Sequence, residues 1–549
     1  MSLSTRLRRI GDGLRRPLPA RVITGLAAVA VYVALIAPRE LGQLTPAAFL
    51  RIPVEGLVAV AVLLVLPPRP RRVVAVIGGT VLGVLTILKA VDMGFLAALA
   101  RPFDLVLDWP LLVSAVSVLA DSIGPAGAIV AVIAAVVLTL AVVGLMALAA
   151  LRLSRVVAGH RPAARRAVAV LAVAWLGFAA LGAQLVTPVP IAARSAAALV
   201  YQKAAQVPAS LRDEEEFAAQ SAVDAFRDTP GPDLLGGLRG KDVVLSFVES
   251  YGRAALDDPE FAPHVDAVLD DGTRRLDAAG FASRSAFLTS PVAGGGSWLA
   301  QATFLSGLWI DNQQRYRSLV ASDRLTLPAA FGRADWQTVA MVPGTTYAWP
   351  ESRFYGFDRV YDAHTIGYRG PNFSWSTMPD QYVLSAFEHA EHAKPGRAPL
   401  LAEIPLTSSH VPWAPIPKMI DWNAVGDGSV FGPMPAAGIP PDTIWGDGPK
   451  VRTEYRRSIE YSLSSLISYV ETYGDDDLVL VFLGDHQAAP IVTGEGAGRD
   501  VPITIVTRDR SVLDRVSGWG WQPGLRPGPQ APVTRMDTFR DRFLTAFAR

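Results

Sequence analysis

The side chains able to do chemistry here lie far apart along the chain. Ser297 follows three glycines in GGGSWLAQATFLSGL, residues 294–308. Glycines let a backbone approach a ligand closely, and free N–H groups with the positive end of a helix dipole favour an anion or an alkoxide at a helix start. A nucleophile is expected at this serine. Glu249 ends the apolar run DVVLSFVE, and Asp485-His486 ends LVLVFLGDH. Two carboxylates, one imidazole and a hydroxyl form an oxygen-rich set that suits Mn²⁺, Zn²⁺ or Mg²⁺ better than a soft metal. His410 closes a third run, PLLAEIPLTSSH. An imidazole there can bind a phosphate oxygen or protonate a leaving group near neutral pH. Singly, each residue has an ordinary reading as a helix cap or a structural histidine. Together they point to a metal-assisted hydroxyl nucleophile.

The elements that must gather these residues show in the periodicity. Continuous apolar runs at 242–247, 338–342, 399–406, 478–483 and 501–507 read as buried strands, and 455–473 has the helical spacing of a crossover. Such alternation implies a mostly parallel α/β sheet, whose sites form beyond the carboxyl ends of its strands. Directly after His410, residues 412–454 are rich in Pro and Gly and hold Trp413, Trp422 and Trp445. Long insertions of this kind act as lids, as recognition loops or as passive surface, and in the first two cases these tryptophans suit contact with lipid or glycan. The remaining histidines, His160, His264, His364, His389 and His392, read as solvated.

The first third of the chain reads as membrane. Apolar helices are expected near 22–38, 52–66, 73–96, 126–151 and 167–187, most of them close to the roughly 20 residues a bilayer crossing needs. The region 105–120 is apolar but broken by Asp108 and Pro110, and reads as interfacial or re-entrant rather than spanning. Arginines concentrate in the N-terminal tail (Arg6, Arg8, Arg9, Arg15, Arg16, Arg21), at Arg69–Arg72 and at Arg152–Arg166. In a five-helix topology all three groups share one side; the positive-inside rule makes that side cytoplasmic and sends the later chain outside. An even number of crossings would reverse the outcome. Lys89 and Asp92 stand three apart on one helical face and either pair, in the bilayer or near its edge, or snorkel from a helix end. The plan is then a transmembrane domain over 1–189, a juxtamembrane helical linker over 190–238 and a catalytic domain over 239–549. With 51 basic and 50 acidic residues among 549, the formal charge is +1, so no global field argues for nucleic acid. The absence of cysteine excludes disulfides, thiolate metal sites and a Cys nucleophile.

VVLSFVES, GGGSWLAQATFLSG, IPLTSSHVPW and FLGDHQ, in that order behind five apolar helices, resemble the lipoteichoic acid synthase branch of the sulfatase and alkaline phosphatase superfamily. The resemblance implies an N-terminal five-helix transmembrane bundle followed by an extracytoplasmic sulfatase-like α/β domain. It further implies a membrane-anchored enzyme moving a phosphoglycerol group from a membrane phospholipid to a cell-envelope glycan or polymer, through a covalent intermediate and one divalent metal, usually Mn²⁺. Glu249, Asp485 and His486 then become metal ligands, Ser297 both fourth ligand and nucleophile, and His410 a substrate-binding residue. The segment YAWPESRFYGFDRVYD is similar to the family's head-group segment and implicates Trp349 and Arg353, although three residues separate them where the family has a shorter gap. The branch generally uses Thr where this chain has Ser, and both supply the same oxygen. Sulfatase maturation wants Pro two residues and Arg four residues after the nucleophile; Leu299 and Gln301 stand there, so an unmodified serine and phosphoryl chemistry are expected. Alternatives are phosphoethanolamine transfer, phosphate- or sulfate-ester hydrolysis, and non-catalytic binding of an envelope polymer.

Overall fold

The computed structural model describes residues 18–187 and 189–548, so the tail arginines Arg6 to Arg16 lie outside the described residues. Two compact units divide the chain: residues up to Ala97 with Arg101–Leu211, and Ala98–Ala100 with everything from Arg212 onward. The division falls inside the stretch expected as a linker.

The first unit is helical. Its apolar helices are α1 (Leu18–Ile36), α2 (Val54–Val65), α3 (Pro68–Leu99), α4 (Trp109–Gly159) and α5 (Arg161–Leu181), followed by the more polar α6 (Ser195–Ala222), which continues into the second unit. Among the described residues five apolar helices are present, and four of them are long and apolar enough to cross a membrane. The exception, α2, has 12 residues and spans about 18 Å, well short of the roughly 30 Å of bilayer hydrocarbon. Gly124, at φ 80° and ψ 158°, breaks α4 just before Pro125 and separates the segment that begins at Trp109 from the long apolar run that follows.

Helix contacts set the levels within this bundle. A Cβ on Gly79 would lie 2.7 Å from the Ala147 Cα, and one on Gly83 2.7 Å from the Val143 Cα, so two glycines let α3 and α4 touch backbone to backbone. Arg152 binds Thr24 Oγ1 at 2.9 Å and the Ala20 carbonyl at 2.5 Å. The start of α1, the start of α3 and the end of α4 therefore share one end, where Arg21 and the arginines of 69–72 and 152–166 collect. At the other end Tyr32 donates to the Arg51 carbonyl at 2.8 Å, and Ile52 pairs with Ala192. Lys89 and Asp92 do not pair as expected. Lys89 Nζ reaches the Ala34 and Leu35 carbonyls at 2.8 and 3.3 Å, whereas Asp92 takes Lys203 at 2.8 Å and the Phe103 N–H at 3.0 Å. Each charge is thus satisfied by a different helix or turn, because burial demands a partner and the open last turn of α1 offers free carbonyls.

The second unit is an α/β sandwich around one nine-stranded sheet. Its strands are β1 (Asp242–Val248), β2 (Ala282–Thr289), β3 (Gln337–Val342), β4 (Arg359–Asp362), β5 (Leu400–Leu406), β6 (Leu478–Gly484), β7 (Asp500–Thr507), β8 (Gln522–Pro523) and β9 (Val533–Arg535). They run in the order β8-β2-β7-β6-β1-β5-β3-β4, with β9 also on β2. The stretch β6-β1-β5-β3-β4 is parallel throughout, and β7 and β2 are antiparallel additions. All five strands read from the sequence are present. Four others were not anticipated, because β2 and β4 mix polar with apolar residues and β8 and β9 have two or three residues each.

Both faces of the sheet are buried, which is why its central strands read as unbroken apolar runs. Val244, Val248, Leu480 and Phe482 face α7 (Ala262–Ala278) and the long crossover helix here called α10 (Gly448–Tyr473), with α9 (Asp380–Phe387) beside it. Leu245, Phe247, Val481 and Leu483 face α8 (Ser297–Ser306) and α11 (Phe539–Phe547). Phe304 of α8 stacks on Phe539 of α11 at 4.2 Å. Residues 212–238 belong to the second core, through buried Phe217, Leu234, Leu235 and Leu238 and a fully buried Asp224–Arg540 ion pair at 2.6 Å.

The 412–454 insertion is packed rather than loose. Trp413 is buried edge-on against Tyr455 at 5.8 Å, and Trp422 is buried against Tyr473 at 5.4 Å with its indole N–H on Ser468. Only Trp445 of the three is exposed, so the expectation of three tryptophans meeting lipid or glycan is corrected for the other two. His392 is corrected as well: it is buried and bonded to Glu388, while His160, His264, His364 and His389 are exposed as expected.

Candidate active site

Register brings the acidic residues to one level. Val248 of β1 pairs with Leu406 of β5 on one side and with Gly484 of β6 on the other, so Glu249, Thr407 and Asp485 leave three adjacent parallel strands together. The glycine in FLGDH is required by this closeness: a Cβ on Gly484 would meet the Tyr251 carbonyl oxygen at 1.8 Å. The serine arrives from the other side. Gly294 and Gly296, at φ 75° and 89°, turn the chain from β2 into α8, and the Gly294 N–H bonds the Gln487 carbonyl at 2.8 Å, tying this turn to the segment that carries His486.

The four residues then meet. Ser297 donates from Oγ to Glu249 Oε2 at 2.8 Å and lies 3.2 Å from His486 Nε2. His486 Nε2 is 3.2 Å from Glu249 Oε1 and 3.7 Å from Asp485 Oδ2. Glu249, Asp485 and His486 are buried and Ser297 is half-buried, leaving the hydroxyl in reach of substrate. His486 Nδ1 donates to the Gln487 carbonyl at 3.0 Å, which turns Nε2 inward as a ligand atom. Asp485 Oδ1 accepts the Ser250 and His486 N–H groups at 2.8 and 2.7 Å.

Electrostatics fit a cation at this point. Burial raises Asp485, and the Glu249 carboxylate adds to it, reaching about 7. Burial opposes charge on His486, yet Asp485 and Glu249 push it up to about 9. Burial works against the Glu249 carboxylate too, but the neighbouring His486 holds it well below the usual carboxylate range. The imidazole is thus drawn to hold a proton as counter-charge to two carboxylates, the role a divalent ion fills with more charge at the same place. These groups are one of two clusters among the described residues whose ligand atoms lie within 4.8 Å of one another.

His410 is half-buried, with Nδ1 on the Val411 carbonyl at 2.6 Å and its ring 6.0 Å from that of Trp375. It is one of the groups that help hold Glu249 low, so it lies near the cluster. Trp349 is half-buried and packs on Tyr355 at 5.6 Å. Arg353, on the short helix Ser352–Tyr355, is exposed. Neither bonds directly to Glu249, Ser297, Asp485 or His486.

A brace that the sequence did not announce holds the His410 loop. Asp380, at the start of α9, accepts the Thr407 and Ser408 N–H groups on Oδ1, each at 2.9 Å, and the Ser462 hydroxyl on Oδ2 at 2.6 Å. Ser409 Oγ donates to the Glu249 carbonyl at 2.6 Å. A buried aspartate bonded to backbone has no sequence signature; PDQY and TSSH look like ordinary turn residues until they meet.

No family model and no curated protein matches the sequence. Solved structures similar to the chain include the lipoteichoic acid synthase LtaP from Listeria monocytogenes, at 15% identity over 62% of this chain and 78% of that one, with a TM-score of 0.37. Another is the Streptococcus pyogenes phosphoglycerol transferase GacH in complex with sn-glycerol-1-phosphate, at 13% identity over 61% of this chain and 91% of that one, TM-score 0.34. A third is the C-terminal periplasmic domain of EcEptC from Escherichia coli in complex with Zn, at 14% identity over 50% of this chain and 74% of that one, TM-score 0.33.

Proposed function

We propose that this chain is a membrane-anchored, metal-dependent phosphotransferase of the lipoteichoic acid synthase type. It acts outside the cytoplasm and moves a phosphoglycerol-type group from a phospholipid to an envelope glycan or polymer. One observation carries the reading: the Ser297 hydroxyl lies within 3.2 Å of both a buried carboxylate and a buried imidazole, at the shared end of parallel strands.

Glu249, Asp485, His486 and Ser297 would hold the metal, Mn²⁺ first and Zn²⁺ or Mg²⁺ as substitutes. When bound, such an ion lowers the pKa of a coordinated hydroxyl and offsets phosphate charge. Ser297 Oγ gives up its hydroxyl proton and attacks the lipid phosphorus, the bond from phosphorus to the diacylglycerol oxygen breaks, and that oxygen takes a proton. An acceptor hydroxyl then displaces Ser297 from its phosphoryl ester and loses its own proton. His410 Nε2 meets a phosphate oxygen or supplies the proton to the leaving oxygen, and Trp349 and Arg353 receive the head group. The arginine-rich end of the helical unit faces the cytoplasm in this reading, as the positive-inside rule directs, and α2, though short, carries the chain from the Ile52 end back to the start of α3, so that the odd order of passages is kept and the later chain lies outside.

The test is incubation of the purified full-length protein with fluorescent phosphatidylglycerol and Mn²⁺. Diacylglycerol release that Ser297→Ala abolishes, with mass added to Ser297 in the wild type, supports transfer. Release only from a phosphatidylethanolamine-type donor moves the donor assignment. Cleavage of soluble phosphomonoesters alone makes the protein a phosphatase, and polymer binding without turnover makes it a binding protein.

A further inference from the structure

A second set of the same residue types lies at the amino ends of the strands, away from Ser297. Asp242 opens β1, His392 follows α9, and Asp475 lies in the turn into β6; one ligand atom from each falls within 4.8 Å of the others. Asp242 and His392 are buried, and Asp475 is exposed.

His392 is oriented as a metal-binding histidine is. Its Nδ1 bonds Glu388 Oε2 at 2.8 Å, and the same carboxylate oxygen receives the Tyr469 hydroxyl at 2.9 Å. A carboxylate on one ring nitrogen raises the basicity of the other and fixes its direction. That other nitrogen, Nε2, is buried and has no hydrogen-bond partner, although the residue is only 6% exposed. It points to Asp242 Oδ2 at 3.6 Å, too long for a hydrogen bond and close to the edge between two ligand atoms that share one ion at about 2.0–2.2 Å each.

Charge favours the same conclusion. Glu388, Asp242 and Asp475 act on His392, and the Arg397 guanidinium forks onto Asp242 at 2.8 and 2.5 Å. These carboxylates favour a proton on His392; once the imidazole gives it up, three carboxylates against one guanidinium leave two negative charges, which a divalent ion cancels. Arg397 does not exhaust Asp242, because each carboxylate oxygen has two acceptor positions. Asp475 spends one oxygen on the Asp477 and Leu478 N–H groups, each at 3.0 Å, and its exposure provides the route of entry.

We propose that Asp242, His392 and Asp475 form a second divalent-cation site, of zinc type, that clips the start of β1, the segment after α9 and the turn into β6 together. It does no chemistry on substrate, and it stands whether or not the phosphotransferase reading does.

The experiment is metal counting on purified full-length protein in detergent, stripped with chelator and dialysed against micromolar ZnCl₂ alone. Two zinc ions per wild-type chain are expected, with one in His392→Ala and one in Asp485→Asn. Asp475→Asn, a change at an exposed position that spares the fold, should weaken the second zinc by at least about tenfold. X-ray absorption on the Asp485→Asn protein should give an oxygen-rich shell with one imidazole. Equal counts in wild type, His392→Ala and Asp475→Asn overturn the site and leave His392 as a protonated link between Glu388 and Asp242. A wild-type count of one that His392→Ala removes and Asp485→Asn keeps supports this site while removing the metal from the catalytic cluster.

Discussion

At the carboxyl end of β1, Glu249 faces Asp485, His486 and Ser297; at the amino end, Asp242 faces His392 and Asp475. The ingredients match and the surroundings do not. Among the described residues, Glu249 and Asp485 form ion pairs only with His486, so the carboxyl-end cluster keeps its demand for positive charge and holds a hydroxyl in reach. The amino end meets part of its demand with Arg397 and, among the described residues, offers no nucleophile. A cluster of acids and a histidine becomes reactive through what else stands beside it. The middle of the sheet gives a third case: Glu403 of β5, in register with Leu245 of β1, is 2% exposed, and its Oε2 has no hydrogen-bond partner.

Substitutions can break this comparison at each place. The largest effect is expected at the carboxyl end, where Ser297→Ala should cut diacylglycerol release by about 10³-fold or more while leaving the thermal unfolding midpoint in place. A parallel loss of fold would make the serine structural.

At mid-sheet, burial pushes Glu403 from 4.5 up to about 8. A raised pKa means the folded state holds its proton longer than the unfolded one. Stability is therefore full below pH 4.5 and falls as pH rises through about 8, by at most about 1.4 kcal/mol per pH unit. Urea titrations across that range should show the fall in the wild type and a flatter profile in Glu403→Gln. Identical profiles would mean that Glu403 finds a partner in solution.

At the amino end, Arg397→Ala leaves Asp242 buried without its guanidinium and should destabilise by about 3 kcal/mol in urea unfolding, with the KM for lipid unchanged. A raised KM would join the two ends functionally. Asp380→Ala should cost about 2 kcal/mol by orphaning the Thr407 and Ser408 N–H groups, and should lower kcat/KM by about tenfold through the His410 loop. Asp380→Asn, which keeps an acceptor for both N–H groups, should restore most of each. Smallest of all, Trp445→Ala at the exposed edge of the insertion should change stability by less than about 0.5 kcal/mol. A larger change, or a loss of polymer binding, would give that ring a contact the fold does not show.

Much of the site was legible because its parts end strands. Glu249, Asp485 and His486 follow runs of buried β residues, and a residue that follows a parallel strand can only lie at the carboxyl edge. Ser297 was legible through Gly294–Gly296, since a left-handed turn needs glycine. Lys89 and Asp92 misled because spacing on one helix says nothing of Ala34 or Lys203, which reach them from elsewhere in the bundle. The tryptophans after His410 misled for a related reason: an indole ring looks alike in sequence whether Tyr455 covers it or water does.

The linear chain by itself determined the apolar helices, the parallel core strands and the four side chains that converge, since each rests on a local period or on glycine geometry within a few residues. Only the tertiary structure decided which acid has a cation and which has none, and that Asp380 braces the His410 loop. Those outcomes depend on partners up to hundreds of residues away, and desolvation and charge pairing act through space rather than along the chain.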